Sequence, residues 1–180
     1  MKSPFVLFQI VFYEESNFEG RFYECTADCP ELNTHISHCN SIRVDSGAWV
    51  LFERPNYLGY QYILTKGEYA NYQRWMGYND SIRSCRIVRN GTGAFRVRVY
   101  ERPDFNGRML ECCEDLSNLP ERWHFHETHS AQVQEGAWVF YELPNYRGRQ
   151  YLLEKGEYRR YTEWAAMNPT VGSFRRVHSH

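Results

Sequence analysis

The sequence predicts an all-β protein made of two β-sandwich domains. Three observations lead there. First, one short phrase occurs four times: Tyr13-Glu14-Glu15-Ser16-Asn17-Phe18-Glu19-Gly20, Phe52-Glu53-Arg54-Pro55-Asn56-Tyr57-Leu58-Gly59, Tyr100-Glu101-Arg102-Pro103-Asp104-Phe105-Asn106-Gly107 and Tyr141-Glu142-Leu143-Pro144-Asn145-Tyr146-Arg147-Gly148. The shared pattern is aromatic, Glu, three residues, aromatic, any residue, Gly. Its glycines stand 39, 48 and 41 residues apart, so units of about forty residues repeat. Second, β-type runs flank every phrase, and Phe95-Arg96-Val97-Arg98-Val99 alternates with the period of a half-buried strand. Third, the halves superpose at an offset of 89: Ser41 on Ser130, Trp49 on Trp138, Gly59 on Gly148, Trp75 on Trp164, Ser84 on Ser173. The chain is therefore an ABAB duplication, and each half pairs two non-identical repeats.

In chain order, residues 1–9 read as an arm whose Phe5, Leu7 and Phe8 are able to pack on the surface. It carries an apolar run and one Lys but no small-residue cleavage site, so it reads as an arm plus first strand and not as a signal peptide. Residues 10–89 hold repeats one and two. Residues 90–95, Asn90-Gly91-Thr92-Gly93-Ala94-Phe95, are glycine-rich and read as the linker, and residues 96–180 hold repeats three and four. Each phrase is a long hairpin turn. Pro55, Pro103 and Pro144 restrict one dihedral there, and Gly20, Gly59, Gly107 and Gly148 are expected at positive φ. A serine follows each Gly by 21 to 25 residues: Ser41, Ser84, Ser130 and Ser173. A hydroxyl at that place suits a hydrogen bond to hairpin backbone that would otherwise lack a partner. Short helices are expected over Tyr69–Met76 and Tyr158–Met167, each with its Trp inward.

These phrases, each with its trailing serine, resemble the βγ-crystallin Greek-key motif. Stretches such as Cys39-Asn40-Ser41-Ile42-Arg43-Val44, Trp75-Met76-Gly77, Asn79-Asp80-Ser81-Ile82-Arg83-Ser84-Cys85 and Asn145-Tyr146-Arg147-Gly148-Arg149-Gln150-Tyr151 are similar to the vertebrate lens γ-crystallins. The resemblance covers roughly residues 10–177. It implies two domains, each a β-sandwich of two Greek-key motifs. It also implies a domain interface at Val50, Ile63 and Val88 and, 89 residues on, at Val139, Leu152 and Val177, flanked by Gln61 and Gln150. Trp49, Trp75, Trp138 and Trp164 are expected to be buried and strongly quenched. The arm, Trp123 and the His178-Ser179-His180 end depart from the family pattern.

Composition excludes several function classes. Net charge is −1, which argues against a broad electrostatic footprint for nucleic acid or membrane. No run is long enough for a transmembrane helix. Aromatic residues make up 17% of the chain, and of the 21 basic residues only Lys2, Lys66 and Lys155 are lysine. Aromatic rings and guanidinium groups are polarisable, which suits a refractive role. With no export signal, Cys25, Cys29, Cys39, Cys85, Cys112 and Cys113 are expected as reduced thiols. Asn90-Gly91-Thr92 reads as a turn, not a used glycosylation sequon.

Four chemistries have candidate residues in this sequence. Calcium-binding members of the resembling family use two Asn/Asp residues, any two, Ser/Thr, then Ser. Here Ile36–Ser41 and Phe125–Ser130 lack the leading pair, Asn79–Ser84 has Arg83 in the Ser/Thr place, and Asn168–Ser173 has Pro169 and Gly172. A cation at Arg83 would repel the ion. For a soft metal, His124, His126 and His129 cluster in the third repeat, and Cys25, Cys29, His38 and Cys39 in the first. No second cysteine pair completes a closed zinc set. The vicinal Cys112-Cys113 reads as a strand with one thiol inward and one outward, the outward thiol open to oxidation. No nucleophile elbow, HExxH or phosphate loop is present, so no enzyme is expected. The reading is a monomeric structural constituent of the eye lens in fibre-cell cytoplasm, with no cofactor and no obligate partner. The alternative is a calcium-binding or stress-related module outside the lens.

Overall fold

The computed structural model describes residues 8–89, 93–123 and 127–179. It divides into two compact units, one reaching to Val88 and the other covering Arg89–Val177.

In the first unit seven strands follow one another: β1 (Gln9–Glu15), β2 (Glu19–Cys25), β3 (Ser41–Ser46), β4 (Trp49–Arg54), β5 (Leu58–Leu64), β6 (Gly67–Tyr69) and β7 (Ser84–Ile87). One sheet runs β2-β1-β3-β6. Opposite it, β4 pairs with β5 on one side and β7 on the other, all antiparallel. The decisive feature is an exchange between repeats. Strand β6 belongs by sequence to the second repeat yet pairs with β3 of the first, Ile42 opposite Tyr69. In return Cys29 of the first repeat bridges Cys85 on β7: the Cys29 amide donates to the Cys85 carbonyl at 2.8 Å, and the Cys29 carbonyl accepts from the Cys85 amide at 3.0 Å. Neither repeat therefore completes its own backbone pairing, which gives the paired duplication a physical cause.

The second unit repeats this plan with β8 (Arg96–Arg102), β9 (Asn106–Cys112), β10 (Ser130–Glu135), β11 (Trp138–Leu143), β12 (Arg147–Leu153), β13 (Gly156–Tyr158) and β14 (Ser173–Arg176). Its sheets run β13-β10-β8-β9 and, around β11, β12 and β14. Here Leu116 bridges Phe174 where Cys29 bridges Cys85.

Each sandwich closes on its own apolar cluster. The first gathers Ile10, Phe12, Leu32, Ile42, Trp49, Leu51, Tyr62, Leu64, Trp75 and Ile82. The second gathers Val97, Val99, Leu119, Trp123, Val133, Trp138, Phe140, Leu153, Trp164 and Phe174. Burying each large side chain is worth about 1.5–3 kcal/mol. Phe8 packs on the first core and lies where a Cβ on Gly47 would have to go, while Phe95 packs on the second core and occupies the same place at Gly136.

Of the stretches Tyr69–Met76 and Tyr158–Met167, where a turn or two of helix is expected, one 3-10 turn forms in each, Tyr72–Trp75 and Tyr161–Trp164. Tyr69 and Tyr158 instead end the exchanged strands, and Met76 and Ala165 stop each turn at positive φ, 62° and 70°. Their Trp75 and Trp164 do turn inward. Trp123, left without a role by the sequence, ends a five-residue helix, Leu119–Trp123, and is buried in the second core. The Gly-to-Ser spacing is 23 residues in this repeat against 21 in the first, and the added length makes room for that helix.

Candidate functional site

The most strongly determined sites of the chain are its four folded hairpins. In each, two successive residues are left-handed: Asn17 and Phe18, Asn56 and Tyr57, Asp104 and Phe105, Asn145 and Tyr146, all with φ between 55° and 63°. The Gly two positions on follows at 79° to 85°. The sequence pointed to the glycine only. Asn and Asp tolerate this region, but an aromatic there is strained by about 1–2 kcal/mol. Three contacts hold it.

The first is the serine. Ser41, Ser84, Ser130 and Ser173 are fully buried. Each hydroxyl donates to a hairpin carbonyl, Glu15, Arg54, Arg102 or Leu143, at 2.6–2.7 Å. Each also accepts the amide of the strained aromatic, Phe18, Tyr57, Phe105 or Tyr146, at 2.9–3.0 Å. The second contact is aromatic. The two rings of each phrase meet at 5.5–5.7 Å in tilted or edge-on geometry. Arginines cover several of them: Arg43 lies 4.8 Å from the Phe18 ring centre, Arg159 5.2 Å from Phe105 and Arg175 3.9 Å from Tyr146. The third is the glutamate of the phrase. A Cβ on Gly59 would stand 2.7 Å from the Glu53 carboxylate, and one on Gly148 would stand 2.8 Å from that of Glu142. In these hairpins the glutamate thus folds over the space the glycine leaves empty, while at Gly20 the next residue, Glu15, takes that place.

The hairpins also clasp the neighbouring repeat. The Asn17 amide donates to Ala70 and the Asn56 amide to Pro30, at 2.8 and 2.9 Å. Asp104 and Asn145 do the same to Arg159 and Ser117. No sequence signal marks these acceptors, which are backbone carbonyls of unremarkable loop residues.

The would-be calcium segments have their oxygens in use. Asn79 Oδ1 accepts the Ser81 amide at 2.8 Å, Asp80 Oδ2 accepts from Asn40 at 3.3 Å, and Asn168 Oδ1 accepts the Thr170 amide at 3.0 Å. Arg83 points into solvent. Of the soft-metal candidates, His124 and His126 lie outside the described residues. His129 Nε2 instead meets Glu127 at 2.9 Å, and His38 Nδ1 meets the Ser37 hydroxyl at 2.9 Å. Cys39 is buried with its thiol directed to the Ser41 carbonyl at 3.4 Å, and burial pushes its pKa well above the usual thiol range. Cys25 and Cys29 are joined by a third thiol that the sequence did not suggest, Cys85. Hydrogen bonding to Cys85 holds the Cys25 thiol low and pushes that of Cys85 up. Among the described residues, no group of three His, Cys, Asp or Glu side chains is arranged to hold a metal ion.

The expected interface positions are buried at Val50, Val88, Val139, Leu152 and Val177, as are Gln61 and Gln150, while Ile63 is half-buried. Strand alternation separates them from the cores. Trp49 and Leu51 enter the first core, so Val50 faces the other side of β4, and its ladder partner is Ile63. Val139 stands likewise between Trp138 and Phe140 and pairs with Leu152.

A family model described as Beta/Gamma crystallin matches residues 9–88 and 96–177. Gamma-crystallin B of Bos taurus is 60% identical over 169 residues, covering 94% of this chain and 97% of its own. Gamma-crystallin B of Rattus norvegicus is 58% identical with the same coverage. Gamma-crystallin M2 of Chiloscyllium indicum is 54% identical, covering 94% of this chain and 96% of its own.

Proposed function

The chain belongs to the beta/gamma-crystallin family, and from that membership we propose how it does its work as a structural constituent of the eye lens. It is not an enzyme. The observation that carries this is identity to gamma-crystallins at 54–60% across nearly the whole of both chains. Function is then a bulk optical property. The 30 aromatic side chains and the arginine-dominated basic set raise polarisability per unit mass. Guanidinium groups stacked on hairpin rings pack this polarisable matter densely. Short-range order among compact molecules suppresses scattering, and a net charge of −1 limits their mutual repulsion. Near the pI of about 6.7 the solubility margin is narrow.

The protein works as a monomer in fibre-cell cytoplasm, with no obligate partner and only weak contacts to other crystallins. Residues 90–95 are the linker between its domains. The apolar positions Val50, Ile63, Val88, Val139, Leu152 and Val177, with Gln61 and Gln150, form the face that joins those domains. Supporting this, Val50, Ile63, Val139 and Leu152 lie on strand faces turned away from the two core clusters.

The test is optical. We expect a refractive-index increment above that of an average protein, and scattering per molecule that falls as concentration rises toward lens-like values. An ordinary increment, or turbidity that grows steadily with concentration, would overturn the refractive role.

A further inference from the structure

We propose that Cys112 and Cys113 form a reversible dithiol site: a peroxide oxidises Cys113, and Cys112 resolves it to a vicinal disulfide before a second molecule is cross-linked. Of the six cysteines, Cys113 is the exposed one. Cys112 is half-buried and packs against the second core. Both line one surface cleft of about 300 Å³, beside Arg122 and between Glu111 and Glu114.

The backbone at this point is suited to ring closure. Cys112 is the last residue of β9 and its ladder partner is Val97. Cys113 lies past the ladder, in a bend. Within a strand, alternation would hold adjacent side chains on opposite faces. At the strand end that constraint lapses on one side, so Cys113 is able to turn toward its neighbour without breaking a ladder bond.

Exposure assigns the order of events. Peroxide in solution meets Cys113 first. Burial pushes the Cys112 thiol up, opposed by the Arg122 guanidinium, so Cys112 is held back as the resolving group. In the first step the Cys113 thiolate attacks a peroxide oxygen. A sulfur–oxygen bond forms, the oxygen–oxygen bond breaks, and the departing hydroxide takes up the proton the thiol released. In the second step Cys112 sulfur attacks Cys113 sulfur. A disulfide forms, the sulfur–oxygen bond breaks, and the leaving hydroxide departs as water with the Cys112 proton. Two thiols thus supply two electrons, and one hydrogen peroxide becomes two waters. A small thiol reductant reverses the bond by exchange. Attack by a resolving thiol one residue away is intramolecular, so its rate does not depend on protein concentration, whereas cross-linking to a second molecule does.

The experiment treats the reduced full chain, dilute, with one equivalent of hydrogen peroxide. Remaining thiols are then alkylated, and the tryptic peptide Met109–Arg122 is weighed. The expected peptide is two hydrogens lighter, carries no alkyl group, and regains both alkylation sites after dithiothreitol. Cys112→Ser should raise the fraction of covalent dimer several-fold over wild type, and Cys113→Ser should abolish both ring and dimer. A wild-type peptide that is instead sulfinylated at Cys113, bonded to a second chain, or still alkylated at both thiols overturns the proposal. So does a Cys112→Ser dimer fraction equal to that of wild type. The wild-type mass decides the matter without relying on the folding of any variant.

Discussion

Ser84 shows how much one small side chain does in this protein. It is fully buried, donates to the Arg54 carbonyl and accepts the amide of Tyr57, a residue held at φ 63°. Ser84→Ala would leave a part-buried carbonyl and a part-buried amide without the hydroxyl that serves both, at a cost of about 1–3 kcal/mol. Urea denaturation should show that loss, whereas Ser117→Ala, at an exposed position where only the main-chain carbonyl is used, should stay within about 0.5 kcal/mol of wild type. Equal effects would mean that the hydroxyl does not stabilise the hairpin. The serine was legible from its recurrence at a near-constant distance from each glycine. Its acceptor and donor were legible only as "the hairpin backbone". The left-handed aromatic was not legible, because aromatic residues carry no propensity for positive φ and are held there by packing.

At the scale of elements, exchange between repeats governs stability. Strand β6 completes the sheet of β1, β2 and β3, and Cys29 completes the pairing of β7. An isolated first repeat, residues 9–46, would therefore expose the free edge of β3 and have no second sheet to cover Ile10, Phe12 and Ile42. It should remain unfolded, with no cooperative transition by circular dichroism, since a small sheet with one uncovered face does not reach independent stability. A cooperative melt from that fragment would contradict the exchange as the cause of pairing. The short helices belong to this scale too. Inward-facing Trp75 and Trp164 were readable from the pattern, but Gly67-Glu68-Tyr69 and Gly156-Glu157-Tyr158 gave no sign that they are strands, because their partners, β3 and β10, are donated by the preceding repeat.

For the whole molecule, the proposed joining face makes a prediction of its own. Val50 has no solvent exposure, and an Asp there would place a charge where an apolar side chain is buried. Val50→Asp should uncouple the two units, so that a single thermal or urea transition resolves into two. An unchanged melt would remove Val50 from the interface.

The sequence by itself determined the number of repeats, their pairing two by two, the hairpins with their glycines and serines, and the absence of an intact calcium motif. Those features are local or periodic, so a single chain displays them directly. Tertiary structure alone decided which strands are exchanged, which carbonyls receive the hairpin tips, that Cys85 joins Cys25 and Cys29, and that Trp123 enters a core. Each of these depends on contact between residues far apart in the chain, through backbone atoms common to every residue or through side chains whose spacing follows no period. Only the closed fold brings such groups within bonding distance.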